Sequence, residues 1–314
     1  MERVTSGDAR ALARAITLVE NRAPESLDLL KALFPRTGHG RVIGLTGAPG
    51  AGKSTLVDQL AREYRKQEKT VGIVAVDPTS PYSGGAILGD RIRMGSHFAD
   101  PGIYIRSMAT RGSLGGLART TADVTSVLDA SGRDVILIET VGVGQDEVDI
   151  VRLAEVTVVI LVPGMGDDVQ TIKAGIMEIA DVFVINKSDR DGAERVEREI
   201  RAMQSLATRN DNWTPPIVKT VASAGEGIVE LAAAISDYQD FLSKSGLAHR
   251  KLVDSWRERL LEMLRDAVML QVVQQQGDEA LQRYAAEIAN HERDPYSLIE
   301  QIVGTSNEKA GVLR

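Results

Sequence analysis

The chain has 314 residues, a formal net charge of −7 at pH 7 and no cysteine. The absence of cysteine excludes disulfides, thiolate metal sites and cysteine nucleophiles, and the negative charge argues against general binding to nucleic acid or to anionic membranes. The chain opens with polar residues and has no apolar run long enough to span a membrane, so we expect a cytoplasmic enzyme without nucleic acid or membrane as partners.

Residues 6–34 predict two helices in front of the main domain. Ser6 or Asp8 can cap the first helix, and Pro24 suits the first turn of the second. Apolar residues recur at helical spacing on both: Leu12, Ile16 and Val19 on the first helix, and Leu27, Leu30 and Leu33 on the second. We expect these stripes to pack on the core that follows, with residues 1–40 as an N-terminal helical extension.

Seven apolar, β-branched segments predict a sheet. They are residues 42–46, 71–76, 103–106 (the weakest), 135–138, 156–162, 182–185 and 217–221. Helical patterns separate these segments, and continuous apolar strands joined by helices are typical of a mostly parallel sheet covered on both faces. The predicted fold class is therefore α/β, with residues 41–245 as its domain. In such sheets, ligands bind at the carboxyl ends of the strands.

The first predicted strand leads into a glycine-rich loop and then a helix. The loop, Gly47–Thr55, fits G-x-x-x-x-G-K-[ST] without departure, which predicts a P-loop NTPase. Its backbone N–H groups would cradle phosphates at the helix N-terminus. We expect a solvent-facing Lys53 to reach the β- and γ-phosphates and Ser54 to bind Mg²⁺. The predicted nucleotide-binding residues are Gly47, Pro49, Gly50, Ala51, Gly52, Lys53, Ser54 and Thr55.

Three acidic residues are expected at the carboxyl edge of the predicted sheet, where the P-loop also lies. Asp77 follows the second strand, Glu139 ends the strand at 135–138, and Asp90 lies at the far end of a Pro/Ser/Gly-rich segment. Carboxylates there can hold Mg²⁺ or its waters, so we predict Asp77 and Glu139 as catalytic and metal-binding residues beside the P-loop. Asp90 could have the same role or could cap a helix, and the residues alone leave both open. Gly142 can donate its N–H to a γ-phosphate, as in nucleotide switches, and is a further candidate.

A second motif predicts which base is bound. Asn186, Lys187 and Asp189 form N-K-x-D at the end of a strand, where Asp189 would accept hydrogen bonds from guanine N1–H and the 2-amino group. Adenine lacks this pair of donors, so we expect GTP and GDP rather than ATP as ligands. After the last strand, Ser223, Ala224 and Gly225 resemble the backbone loop that supports guanine in GTPases.

The C-terminal region predicts long amphipathic helices. Trp256, Leu260, Met263, Leu264, Ala267 and Leu270 form an apolar stripe. Asp294 and Pro295 start a further helix, Leu298–Val303, which Gly304 can end. Helices appended to a complete sheet need a partner for their apolar face, and this partner is either the chain's own core or a second subunit.

These motifs resemble those of the MeaB/ArgK-type GTPases, which are associated with adenosylcobalamin-dependent methylmalonyl-CoA mutase and belong to the SIMIBI class of P-loop proteins. The resemblance covers nearly the whole chain and is carried by residues 47–55, 76–78, 84–91, 139–145, 163–167, 170–175 and 186–189. The older label of such proteins, a kinase of arginine and ornithine transport, is not adopted.

The resemblance implies further roles. Asp77, Asp90 and Glu139 would surround Mg²⁺ and the γ-phosphate, and a switch formed by Asp167, Gln170 and Lys173 would couple the nucleotide site to the mutase. The protein would be a slow GTPase, stimulated by an acyl-CoA mutase, that gates delivery of adenosylcobalamin and protects the mutase from inactivation. Residues 246–314 would form the dimerisation extension of a homodimer.

Two other functions are consistent with a P-loop. A small-molecule kinase should lack the motif at Asn186–Asp189. A metallochaperone GTPase of the same class should carry clusters of Cys or His near the nucleotide, whereas this chain has no cysteine and four scattered histidines: His39, His97, His249 and His291. The glycines of residues 107–116 allow either close backbone approach to a ligand or a flexible turn, and the sequence does not decide between them.

Overall fold

A computed structural model describes residues 1–77, 100–109, 116–140, 153–164, 179–206, 209 and 211–310. The chain divides into two compact units, Met1–Leu252 and Val253–Arg314. The first unit contains a seven-stranded sheet with helices on both faces, and the second is helical. The predicted divisions near residues 40 and 245 stay predictions. No helix in the described ranges is long and apolar enough to cross a membrane.

All seven predicted strands are present and pair in parallel. The strands are β1 (Arg41–Gly47), β2 (Val71–Asp77), β3 (Ile103–Ala109), β4 (Val135–Glu139), β5 (Val156–Leu161), β6 (Val182–Asn186) and β7 (Ile217–Thr220). Their order is β3-β2-β4-β1-β5-β6-β7, so β1 lies at the centre. The predicted fold class is confirmed. Because every strand runs the same way, the residues that end the strands meet at one edge of the sheet.

Helices cover both faces of this sheet. In the first unit they are α1 (Glu2–Thr5), α2 (Ala9–Glu20), α3 (Ser26–Leu33), α4 (Lys53–Lys66), α5 (Gly116–Ala130), α6 (Ala193–Leu206) and α7 (Ile228–Ser245). Side chains of α4 and α7 share one apolar core with the strands, whereas α2, α3 and α5 share another on the opposite face. A third, smaller core lies between α6 and strands β5 and β6.

The N-terminal helices pack largely as predicted. The carboxylate of Asp8 caps α2 by accepting a 2.7 Å hydrogen bond from the backbone N–H of Ala11. The α2 stripe is buried, as is Leu33 of α3, but Leu27 is 53% exposed, so its predicted burial is wrong. Three leucines spaced by three residues drift around a helix, so that Leu27 and Leu33 point about 120° apart.

At the amino edge of the sheet, a buried carboxylate connects several segments. Asp181, directly before β6, accepts hydrogen bonds from Lys251 Nζ at 2.9 Å, from Arg209 at 3.2 Å and from the backbone N–H of Thr157 at 3.0 Å. Burial disfavours the charged form of Arg209, but the hydrogen bonds to Asp211 and the charge of Asp181 outweigh this effect and raise the arginine's pKa. The network fixes the chain at residue 251 to the base of β5 and β6.

The remaining helices are α8 (Leu247–Gln276), α9 (Asp278–Ala289) and α10 (Pro295–Ala310). None of the side chains of α8 is buried, and its predicted stripe is exposed: Leu260 by 54%, Leu264 by 51% and Leu270 by 59%. The predicted end of the last helix at Gly304 is wrong, because α10 continues to Ala310. A glycine inside a helix costs only about 1 kcal/mol relative to alanine, which neighbouring turns can outweigh.

The Asp181 network generates a stability prediction. We expect Lys251→Met to lower the free energy of unfolding by about 1 to 3 kcal/mol, because the buried carboxylate loses a charged hydrogen-bond donor but keeps Arg209. Urea denaturation of the full chain measures the effect. Lys244→Met is the matched control: Lys244 is 79% exposed and pairs with Asp240 at 3.5 Å, so its change should stay within about 0.5 kcal/mol. Equal effects of the two variants would contradict the prediction.

Candidate nucleotide-binding site

The loop between β1 and α4 has a shape that requires glycine at specific positions. Gly50 and Gly52 have φ angles of +77° and +92°, in the left-handed region that favours glycine. A Cβ atom at Gly47 would overlap the backbone oxygen of Ile160 on β5, and one at Gly52 would overlap the side-chain nitrogen of Asn186. The P-loop glycines therefore allow two close contacts as well as the turn itself.

Lys53 is the first residue of α4, and its side chain lies over this loop. Its Nζ donates hydrogen bonds to the backbone oxygens of Gly47, at 2.8 Å, and Ala48, at 3.1 Å. The residue is 6% exposed, so the predicted solvent-facing position is wrong. Side chains on a helix point towards its N-terminus, and here this direction brings the ammonium group to the loop that would surround the phosphates.

Ser54 and Glu139, which the sequence predicts as Mg²⁺ ligands, meet beside the loop. The Ser54 hydroxyl donates a 2.6 Å hydrogen bond to Oε1 of Glu139, which ends β4 and is 5% exposed. A hydroxyl and a carboxylate at one point form the hard oxygen donor set that Mg²⁺ prefers, so these residues fit the ion. Asp77 ends β2, the strand next to β4, and its backbone is in register with Ala109.

The side chain of Asn186 links the phosphate-binding loop to the opposite half of the site. Its Nδ2 donates to the backbone oxygen of Ala51 at 2.8 Å, and its Oδ1 accepts from Thr220 Oγ1 and from the backbone N–H of Ala222, both at 3.1 Å. Asn186 is 2% exposed, and all three of these contacts are made within the core. The loop, β6 and β7 are therefore fixed to one another.

The rest of the predicted guanine site surrounds this link. Lys187 has a positive φ of 56°, and its Nζ donates a 2.8 Å hydrogen bond to the backbone oxygen of Gly50. Asp189 is exposed on the same edge of the sheet. The predicted loop Ser223–Gly225 is also exposed, and hydrogen bonds between Val221 and Glu226 close it at its base. The carboxylate and the loop are both accessible to a base.

Sequence reasoning missed Thr220 and Ala222, which hold the amide of Asn186. A signal was available, because a threonine that ends an apolar strand directly before a predicted base-binding loop has a hydroxyl near that loop. The structure leaves other predictions untested. The side chain of Asp77 and the whole of Asp90, Gly142, Asp167, Gln170 and Lys173 lie outside the described residues.

A P-loop at the centre of a parallel sheet, joined by a buried asparagine to an N-K-x-D loop, defines a P-loop GTPase. The chain belongs to the family described as methylmalonyl Co-A mutase-associated GTPase MeaB, which its residues 12–277 match. In the described part of the chain, no group of three or more His, Cys, Asp or Glu side chains is arranged to hold a metal ion.

Individual relatives are similar over most of their length. The chain is 48% identical to a protein of Pyrococcus horikoshii whose name assigns it to the GTPases, over 97% of this chain and 98% of that protein. It is 38% identical to GTPase ArgK of Escherichia coli, covering 78% and 77% of the two chains. A crystal structure described as LAO/AO transport system kinase has a TM-score of 0.74 and 28% identity, covering 98% and 96%.

The position of Lys53 generates a prediction. We expect Lys53→Ala to abolish measurable GTP hydrolysis and to weaken GTP binding at least tenfold, because two carbonyl oxygens hold its ammonium group over the phosphate-binding loop. Calorimetry and phosphate release measure the two effects. Lys66→Ala at the other end of α4 is the control, since Lys66 is 72% exposed and pairs with Glu63. Normal turnover in a folded Lys53 variant would contradict the P-loop assignment.

Proposed function

We propose that this GTPase is a chaperone of an adenosylcobalamin-dependent acyl-CoA mutase of the methylmalonyl-CoA mutase type. It gates delivery of the cofactor to the mutase and protects the mutase from inactivation. The observation that carries the proposal is the match of residues 12–277 to a family described by its association with that mutase. The described nucleotide site supports it, because a guanine-nucleotide switch needs a phosphate half and a base half that are physically joined.

We propose Mg²⁺ as the metal of this site, held by Ser54 and Glu139 with Asp77 and Asp90 as further acids. Bound Mg²⁺ would neutralise charge on the β- and γ-phosphate oxygens. The contact between Ser54 and Glu139 supports this, because it brings two oxygen groups of the kind that Mg²⁺ prefers together at the start of α4. Lys53 supplies a second positive charge from inside the loop. Gly142 would report the presence of the γ-phosphate.

We propose that Asp189 selects guanine. In this arrangement the N1–H and 2-amino groups of guanine would both donate to the carboxylate of Asp189. Adenine has neither donor at these positions, so the carboxylate would have no partner on the base. The exposure of Asp189 and the fixed backbone of residues 186–189 support the assignment, because Ser188 N also bonds to Thr220 O at 3.1 Å. The acceptor therefore lies on a loop that is held at two points.

The base selectivity can be tested by changing one carboxylate to an amide. We expect Asp189→Asn to reduce GTP affinity at least a hundredfold and to favour xanthosine triphosphate, whose 2-oxo group can accept from the new amide. Calorimetric titration with GTP, XTP and ATP measures the change. Asp191→Asn is the matched control, since Asp191 is exposed two residues further and loses the same charge. If the parent binds ATP as tightly as GTP, the assignment is wrong.

We propose that the protein is a homodimer formed by its C-terminal helices. Leu260, Leu264 and Leu270 are each at least half exposed on α8, and Tyr296 and Ile299 are exposed by 80% and 59% on α10. Single exposed apolar residues are ordinary, but a series along a 30-residue helix is typical of an interaction surface. A second copy offers the same series and could cover it.

We propose that the switch of Asp167, Gln170 and Lys173 transmits mutase binding to the nucleotide site. The described strand β5 leads towards it and is the neighbour of β1, which carries the P-loop. By linkage, any effect of the mutase on nucleotide affinity must equal the effect of the nucleotide on mutase affinity.

Partner coupling gives the test of the chaperone function. We expect an adenosylcobalamin-dependent acyl-CoA mutase to stimulate GTP hydrolysis by the parent protein at least severalfold. Lys173→Ala should keep the intrinsic rate and lose most of the stimulation, whereas Lys31→Ala, at a 76% exposed lysine of α3, should keep both. Turnover is measured with and without the mutase. A parent rate that no such mutase changes would count against the chaperone, and equal stimulation of all three proteins would count against Lys173 alone.

A further inference from the structure

Ser107 on β3 has a hydroxyl group that the described structure leaves without a hydrogen-bond partner. Its Oγ atom is buried from solvent, and within the described ranges no donor or acceptor bonds to it. Buried polar groups are almost always hydrogen-bonded, because an unpaired one has lost its water without a replacement. A partner that the protein acquires on binding a ligand would satisfy this hydroxyl.

The strand register places Ser107 in the same row as the predicted metal ligand. Ser107 pairs with Ala75 of β2, and Ala75 pairs with Glu139 of β4. Ile103 and Ile105 of β3 pack on the α4 face of the sheet, and side chains alternate along a strand, so Ser107 faces α4 as well. Glu139 faces the same way, towards Ser54 at the start of α4. The hydroxyl and the carboxylate therefore lie on one face.

A small residue separates Ser107 from Glu139. Two strand spacings separate the backbones of Ser107 and Glu139, which is about 10 Å, and the intervening side chain is the single methyl group of Ala75. One water that makes two hydrogen bonds spans about 5 to 6 Å. The hydroxyl and the carboxylate make no direct contact, so a link between them would run through water.

The opposite face of β3 fixes the position of Ser107. The neighbouring residue, Arg106, points away from α4 and forms an ion pair with Glu20 of α2, whose hydrogen bond raises the arginine's pKa. Met108, on the other side, is buried in the core formed with α2 and α5. A strand held in this way on its far side cannot easily rotate its serine away from the α4 face.

We infer that Ser107 is a positioning residue of the GTPase site, whose Oγ accepts a hydrogen bond from a water of the Mg²⁺ shell. Mg²⁺ keeps several waters when proteins bind it through one or two carboxylates, and these waters are donors. A serine oxygen has two lone pairs to accept them. The inference rests on the Mg²⁺ assignment of the proposed function. It extends the site by one strand beyond β2.

The inference predicts that Ser107→Ala has different effects on the protein without ligands and on the protein with bound GTP and Mg²⁺. In the empty protein Ser107→Ala removes an unsatisfied buried group, so the melting temperature should stay equal or rise. In the loaded protein it removes one hydrogen bond to the metal's water. The factor by which Mg²⁺ tightens GTP binding should then fall about three- to tenfold.

The experiment compares Ser107→Ala with a matched control, Ser131→Ala. Ser131 is also a buried serine, but its hydroxyl donates a 2.6 Å hydrogen bond to the backbone oxygen of Leu128, near the amino end of β4. Melting temperature is measured without nucleotide, and GTP affinity is measured by calorimetry in Mg²⁺ and in EDTA. Ser131→Ala should lower the melting temperature and keep the Mg²⁺ factor. Ser107→Thr should retain most of that factor because it keeps the hydroxyl.

Three results would overturn the inference. Ser107→Ala could lower the melting temperature as Ser131→Ala does while keeping the Mg²⁺ factor, which would make the hydroxyl structural. It could weaken GTP binding equally in Mg²⁺ and in EDTA, which would place its action on the nucleotide. If Mg²⁺ fails to tighten GTP binding to the parent protein, the metal assignment itself fails. Measuring the parent protein distinguishes these outcomes. If Mg²⁺ tightens its GTP binding, the metal assignment stands and the first two results count against Ser107 alone.

Discussion

The amide of Asn186 is the interaction on which the nucleotide site depends. It bonds both to the P-loop, through Ala51, and to two residues that precede the predicted base-binding loop, Thr220 and Ala222. The approach is possible because Gly52 has no side chain at the point of contact. A site for a nucleoside triphosphate must hold phosphates and base at a fixed separation, and one buried side chain with three hydrogen bonds fixes the predicted phosphate-binding and base-binding loops to each other here.

The two edges of the sheet use charge in different ways. At the amino edge, Asp181 is buried and is neutralised by Lys251 and Arg209, an arrangement that fixes chain segments to the base of the sheet. At the carboxyl edge, Ser54 and Glu139 hold each other and Asp189 is exposed. Five-residue strand β6 connects the two edges, with Asp181 directly before it and Asn186 at its end. Structural polar groups and the predicted ligand-binding groups are thereby kept apart.

Strand β3 has a comparable division between its two faces. Arg106 bonds to the N-terminal helix α2, whereas Ser107, the next residue, faces α4 and the row that contains Glu139. Alternation of side chains along a strand makes this possible in adjacent positions. Helix α2 therefore packs directly behind the strand that carries Ser107. The second unit has a different character, since the apolar residues of α8 are exposed.

The sequence by itself determined the seven strands, the P-loop and the positions of Glu139 and Asn186, because each signal is carried by neighbouring residues. Only the tertiary structure decided the contacts between residues that are distant in the sequence. Lys53 is buried because loop carbonyls surround it, and Thr220 matters because it meets an asparagine 34 positions earlier. Periodicity gives the direction of a side chain along its own element, whereas its partners are set by packing between elements.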